Sequence, residues 1–229
     1  MKKFHWIILF LLTLGIHLTG LQLDSVMLAG FTKALLLPIL FFFFWHQTYG
    51  ILNRSITVFG VAVVFSWLGD LLLMKGEDPQ FFLLGLGSFL LAQVGYSYFF
   101  YRIMQKEKIR FGLLLVVPVL IYYATLITWL YPFLHSMLAP VSIYGAIISI
   151  MLLLALHTLY MPAVAAGRWF MGGAILFVAS DSALAFNKFY APFDAAPLVI
   201  MLTYGLAQLF LTLGAILYIK RERARHSLF

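Results

Sequence analysis

The sequence predicts an all-α polytopic membrane helix bundle with eight transmembrane helices and both termini on the cytoplasmic side. Three observations predict it. Of 229 residues, 64% are hydrophobic and only 10% charged, with a mean hydropathy of +1.02, whereas about a quarter of a soluble domain is charged. Eight apolar stretches each reach the roughly 20 residues that a bilayer-crossing helix needs. Lys and Arg collect between alternate stretches, as they do in cytoplasmic loops.

In order, the stretches are 4–22, 26–45, 52–74, 81–103, 111–131, 139–161, 168–189 and 196–219. The first follows Lys2-Lys3 and has the look of a signal peptide, but neither a small-x-small cleavage site nor a lipid-acceptor Cys follows it, so it is expected to stay as a span. With the N-terminus inside, the inner segments hold Lys2, Lys3, Arg54, Arg102, Lys106, Lys108, Arg110, Arg168, Lys220, Arg221, Arg223 and Arg225, which are 12 of the 15 basic residues. Lys75 and Lys188 fall outside, and Lys33 lies within the second span. The connections are too short for a soluble domain. The chain 1–229 is therefore expected to be one membrane domain, placed in a bacterial cytoplasmic membrane. The net charge of +7 follows from this topology and implies no nucleic-acid partner. The absence of Cys excludes disulfides, thiolate zinc sites and cysteine nucleophiles.

Two acids interrupt the apolar runs, Asp70 in span 3 and Asp181 in span 7. An acid in hydrocarbon must find a partner or keep its proton, so each is a functional position by default. At 1.5 Å per helical residue, Asp70, Asp181 and Lys33 all lie roughly 6 to 12 Å from the outer ends of their spans. That common depth is what a shared internal cavity would require. Further polar groups gather on the same faces. Ser66 is one turn from Asp70; Ser180 and Ser182 flank Asp181; Gln93 and Tyr96 share a face of span 4; Tyr204, Gln208 and Thr212 form a stripe on span 8. Such groups also serve as interhelical glue, and Lys33 either pairs with an aspartate or meets a substrate phosphate. The tripeptide Leu91-Ala92-Gln93 of span 4 recurs as Leu206-Ala207-Gln208 in span 8, and the acids recur on spans 3 and 7, an echo that fits a four-plus-four duplication. No His cluster has metal-ligand spacing, and no G-x-S-x-G, P-loop or dinucleotide motif is present, so no metal or other cofactor is expected.

Leu68-Gly69-Asp70, the run Phe82-x-x-Gly85-x-Gly87-x-Phe89 with Leu91-Ala92-Gln93-x-x-Tyr96, and Phe177-x-x-Ser180-Asp181 with Leu184-Ala185 resemble the YhhN family of integral membrane lysoplasmalogenases. The resemblance extends over spans 2 to 8. It implies an eight-span hydrolase that cleaves the vinyl ether bond of lysoplasmalogens, a lysophospholipid substrate taken from the bilayer, into a fatty aldehyde and glycerophosphoethanolamine or glycerophosphocholine. It implies Asp70 and Asp181 as the catalytic pair and Lys33 as the basic residue of span 2. Two positions depart from the family pattern, Ala34 where many relatives have Pro and Gln93 where many have His. A vinyl ether yields to acid: a proton adds to the carbon beta to the ether oxygen, water adds to the oxocarbenium ion, and the hemiacetal collapses. Two aspartates sharing one proton would act as general acid and as base and stabiliser. Ser66, Gln93, Tyr96, Ser180, Tyr204 and Gln208 would surround water and the glycerol backbone. The competing class is a proton-coupled carrier of a small amphipathic substrate, in which the acids form a proton relay. A purely structural membrane partner would leave the buried acids without a purpose.

Overall fold

The computed structural model describes residues 3–51, 54–76 and 78–226. Eight α-helices run through them: α1 Lys3–Gln22, α2 Val26–Thr48, α3 Arg54–Leu73, α4 Pro79–Lys106, α5 Leu113–Leu134, α6 Leu138–His157, α7 Val164–Ala185 and α8 Ala196–His226. There is no strand among the described residues. Seven helical segments are long and apolar enough to cross a membrane, the longest being Leu113–Tyr160, which contains both α5 and α6. The chain is thus a multi-pass integral membrane bundle. Lys2 and the start of span 3 at position 52 lie outside the described residues.

The helix ends follow from local chemistry. Ser25 caps α2 by accepting from the Leu28 amide at 3.4 Å, and Asp78 caps α4 by accepting from Gln80 at 2.8 Å, with Pro79 in the first turn where a missing N–H costs nothing. The segment Leu113–Tyr160 is a hairpin. Its turn passes through His135 in the left-handed region at φ +42° and a 3-10 turn, His135–Met137. The Tyr123 hydroxyl then donates to the Ser142 carbonyl at 3.2 Å; in an unbroken helix these residues would be roughly 28 Å apart. Pro38 sits inside α2 and cannot donate to the Ala34 carbonyl. The Trp67 indole of α3 does so instead, at 2.9 Å, which keeps α2 continuous through the proline.

Packing depends on close helix approach. A Cβ at Gly95 would stand 2.9 Å from Ala62, and one at Gly173 would stand 2.8 Å from Leu211 and 3.0 Å from the Ala207 carbonyl, so α3 meets α4 and α7 meets α8 nearly backbone to backbone. The centre is aromatic: Phe44 on Phe59 at 4.8 Å, Phe59 on Tyr96 at 5.5 Å and Phe100 on Phe170 at 5.1 Å. Helix α8 is the most deeply buried and α5 the least. At Gly167 a Cβ would press on the Thr158 carbonyl, a backbone atom, whereas one at Gly87 meets nothing within 4 Å. Gly167→Ala should therefore lower the detergent-solubilised melting temperature by several degrees and Gly87→Ala should not; equal thermal shifts for the two would contradict this packing.

Candidate active site

Among the described residues the α3 carboxylate is the most fully buried acid. Asp70 is 3% exposed. It is held there because Gly69 leaves room for the Phe89 ring, which would be 2.6 Å from a Cβ at that position. The Tyr204 hydroxyl of α8 donates to Asp70 Oδ2 at 2.8 Å. Tyr204 in turn accepts from Gln208 Nε2 at 3.4 Å, and Gln208 Oε1 accepts from the Tyr96 hydroxyl at 2.8 Å. Ser66 Oγ closes the line 3.5 Å from the Tyr96 oxygen. The result is one buried chain, Ser66, Tyr96, Gln208, Tyr204, Asp70, in which the donors from Tyr96 onward all run towards the carboxylate. Four expected site residues are thereby joined to Asp70.

Asp181 is built differently. It is half-buried, on α7, and it accepts a short hydrogen bond at Oδ2 from the Tyr144 hydroxyl of α6. Its carboxylate lines a narrow apolar pocket with Leu73, Phe82, Phe89, Tyr144 and Leu184, whose volume of about 40 Å³ has room for a water or two. Next to it, Ser182 donates to the Val178 carbonyl at 2.7 Å, so its oxygen accepts from Tyr122 of α5 at 2.8 Å. Phe89 separates the two arms: it lines the Asp181 pocket and packs edge-on to Tyr204 at 5.8 Å. No direct hydrogen bond joins the carboxyl groups, yet the charge of Asp70 is felt at Asp181.

The remaining expected residues divide. Lys33 is half-buried; its charge is felt at Asp70 and at the His17 ring. Among the described residues, neither aspartate nor Lys33 has an oppositely charged group within 4.0 Å. The ion-pair reading of Lys33 therefore has no contact behind it. Gln93 is 0% exposed, and neither its oxygen nor its nitrogen has a hydrogen-bond partner; the amide lies beside the Tyr144 hydroxyl without meeting bonding geometry. Ser180 is not brought to the carboxylates: its hydroxyl donates to the Ile200 carbonyl at 3.0 Å and ties α7 to α8. Thr212, the last of the α8 stripe, is buried with its hydroxyl unpartnered.

Tyr144 and Tyr122 were missed by sequence reasoning. Each is one of several hydroxyls on its helix, and Tyr144 stands beside Gly145, the small residue that lets α6 approach the Tyr123 ring of α5. That pairing of a tyrosine with a close-approach glycine was the available signal.

The model of the YhhN family matches residues 28–215, from the first turn of α2 well into α8. The chain is 35% identical over 157 residues to "Lysoplasmalogenase TMEM86B" of Rattus norvegicus, covering 68% of this chain and 60% of that protein. It is 34% identical over 169 residues to "Lysoplasmalogenase TMEM86A" of Bos taurus, with 72% and 67% covered, and 30% identical over 156 residues to a "Lysoplasmalogenase" of Mycobacterium bovis, with 67% and 58% covered. The match thus spans 60% of the length of the rat relative. No solved structure matches the chain. With the motifs on α3, α4 and α7 lying inside the matched region, the chain belongs to the YhhN family.

Proposed function

We propose that this protein is a lysoplasmalogenase that hydrolyses the vinyl ether bond of a lysophospholipid within a bacterial cytoplasmic membrane. The observation that carries the reading is the pair of intramembrane carboxylates. Each is held by a tyrosine from another helix, neither has a cation within ion-pair distance, and the charge of Asp70 is felt at Asp181. The names of the relatives supply the substrate class.

The reaction needs a carboxyl group that carries its proton and a carboxylate that faces the developing cation. Unpaired carboxylates are costly in hydrocarbon, which favours a single shared negative charge between two such groups. Asp181, which lines the pocket, is assigned the role of acid: its proton goes to the carbon beta to the ether oxygen and an oxocarbenium ion forms. Asp70, aligned by Tyr204, stabilises that ion by its charge and takes the proton released when water adds. The hemiacetal then breaks its bond to the glycerol oxygen, giving a fatty aldehyde and glycerophosphoethanolamine or glycerophosphocholine. Gln93, buried with both polar atoms free, holds the water; Lys33 faces the phosphate. Tyr96 and Gln208 act through Tyr204 as positioning residues, with Ser66 behind them, and Ser180 braces the helix that carries Asp181.

The same proposal takes the α5–α6 hairpin as two crossings, which gives eight spans in a single domain with both termini cytoplasmic. The tight hairpins α3–α4 and α7–α8, each contributing one aspartate, agree with the four-plus-four echo.

Asp70→Asn and Asp181→Asn should each reduce aldehyde release from a lysoplasmenyl lipid at least about a thousandfold, the order associated with loss of general acid-base and electrostatic help together. The assay runs on purified protein in detergent, where no compartments exist for a carrier to act between. Folded variants that keep substantial activity would remove that aspartate from the chemistry. Topology is testable on the same chain, which lacks Cys. Lys75→Cys and Lys188→Cys should react with an impermeant maleimide from outside intact cells and Arg102→Cys only after lysis; the reverse pattern would invert the orientation.

A further inference from the structure

A buried imidazole that feels the charge of Lys33 has no role in the scheme above. His17 lies on α1, outside the span that the family model matches, and is 1% exposed. Its Nδ1 is 3.0 Å from the Ala29 carbonyl and 3.0 Å from Thr32 Oγ1. A carbonyl can only accept, so Nδ1 carries the proton. Thr32 agrees with this assignment, since its one hydroxyl hydrogen is directed to the Leu28 carbonyl at 2.6 Å and its oxygen is free to accept from the ring. In the neutral imidazole, Nε2 is then a bare acceptor. It is buried and has no partner. A buried acceptor left unmet costs about 1–3 kcal/mol, so a group with a hydrogen to donate belongs there.

The chemistry of that group is constrained by its surroundings. Lys33 of the neighbouring α2 carries a charge that reaches both His17 and Asp70. An anionic oxygen would suit Lys33 but not a bare ring nitrogen; a hydroxyl suits the nitrogen. A single-chain glycerophospholipid offers both on adjacent carbons, a phosphate and the free hydroxyl that a two-chain lipid has esterified. We propose that His17 Nε2 accepts the hydrogen bond of the free glycerol hydroxyl of the lysolipid, and so selects single-chain over two-chain substrates. This rests on the lysophospholipid reading above. A site built to hydrogen-bond a substrate hydroxyl rejects the analogue that lacks it, because the buried protein atom is left unpaired.

The test uses two lipids that the enzyme does not cleave, a saturated 1-O-alkyl glycerophosphoethanolamine and its 2-deoxy analogue, titrated onto the full-length protein in detergent. Wild type should bind the hydroxyl form about tenfold more tightly, the value of one neutral hydrogen bond to a buried acceptor. His17→Leu should bring the ratio to about one while the deoxy lipid binds as before, and His17→Gln, which restores an acceptor, should recover part of the preference. Equal binding of the two lipids by wild type, or a His17→Leu variant that weakens both alike, overturns the proposal. If His17→Leu does not fold, the wild-type ratio and the Gln variant decide. Aldehyde release with no discrimination at the hydroxyl sinks the His17 assignment alone; binding of neither lipid sinks the substrate reading with it.

Discussion

A carboxyl group in hydrocarbon must find its hydrogen bonds inside the protein, and in this bundle both find a tyrosine on a different helix. Asp70 of α3 is met by Tyr204 of α8, and Asp181 of α7 by Tyr144 of α6. These two bonds tie four helices together. Interhelical hydrogen bonds in membranes stabilise by only about 0.6 to 2 kcal/mol each, too little to hold a bundle against thermal motion. Their effect is orientation. Packing at Gly69, Gly95 and Gly173 brings the backbones together, and the tyrosines then fix where each carboxylate points.

The arms are unequal, and the difference has chemical content. Asp70 ends a hydrogen-bonded line through Tyr204, Gln208, Tyr96 and Ser66, all of them buried. Each donor along it leans towards the carboxylate, which favours negative charge at that end. Asp181 has a single tyrosine and an open edge on an apolar pocket. A group that must deliver a proton to a lipid needs such an edge; one that must hold charge needs the donors. Phe89, pressed against Tyr204 and lining the pocket, keeps the two environments apart over a short distance.

Much of this was legible in the sequence, for identifiable reasons. The spans were readable because apolar length is a strong signal in a membrane protein, and the α5–α6 turn because 48 residues exceed what one crossing requires. The line through Tyr204 and Gln208 was readable because i, i+4 spacing puts both on one face of an otherwise apolar α8, and it continues to Tyr96 and Ser66, which share faces with other polar residues. Ser180 was read with Asp181 by adjacency. It precedes Asp181 in the chain, but consecutive helical residues point about 100° apart, and its hydroxyl faces the Ile200 carbonyl of α8 instead. Tyr144 was passed over because the other hydroxyls of α6, Ser142 and Ser149, do not lie three or four residues from it, so no polar stripe points to it; only the contact with α7 identifies its partner.

Lys33 shows why the neighbourhood of a charge matters more than its presence. On α2 it sits one residue before Ala34, whose carbonyl is freed by Pro38 and taken by Trp67. That bond locks α2 to α3 one turn from Asp70, and so fixes the level at which Lys33 enters the bundle. Had the lysine reached Asp70, the pair would have been neutral and inert, a structural contact with nothing left for a ligand. Held outside ion-pair distance, it lends positive potential to the aspartate and to His17 without neutralising either. The proline brace, set in the hydrocarbon and remote from any reacting atom, is thus part of how the site keeps its charges separate.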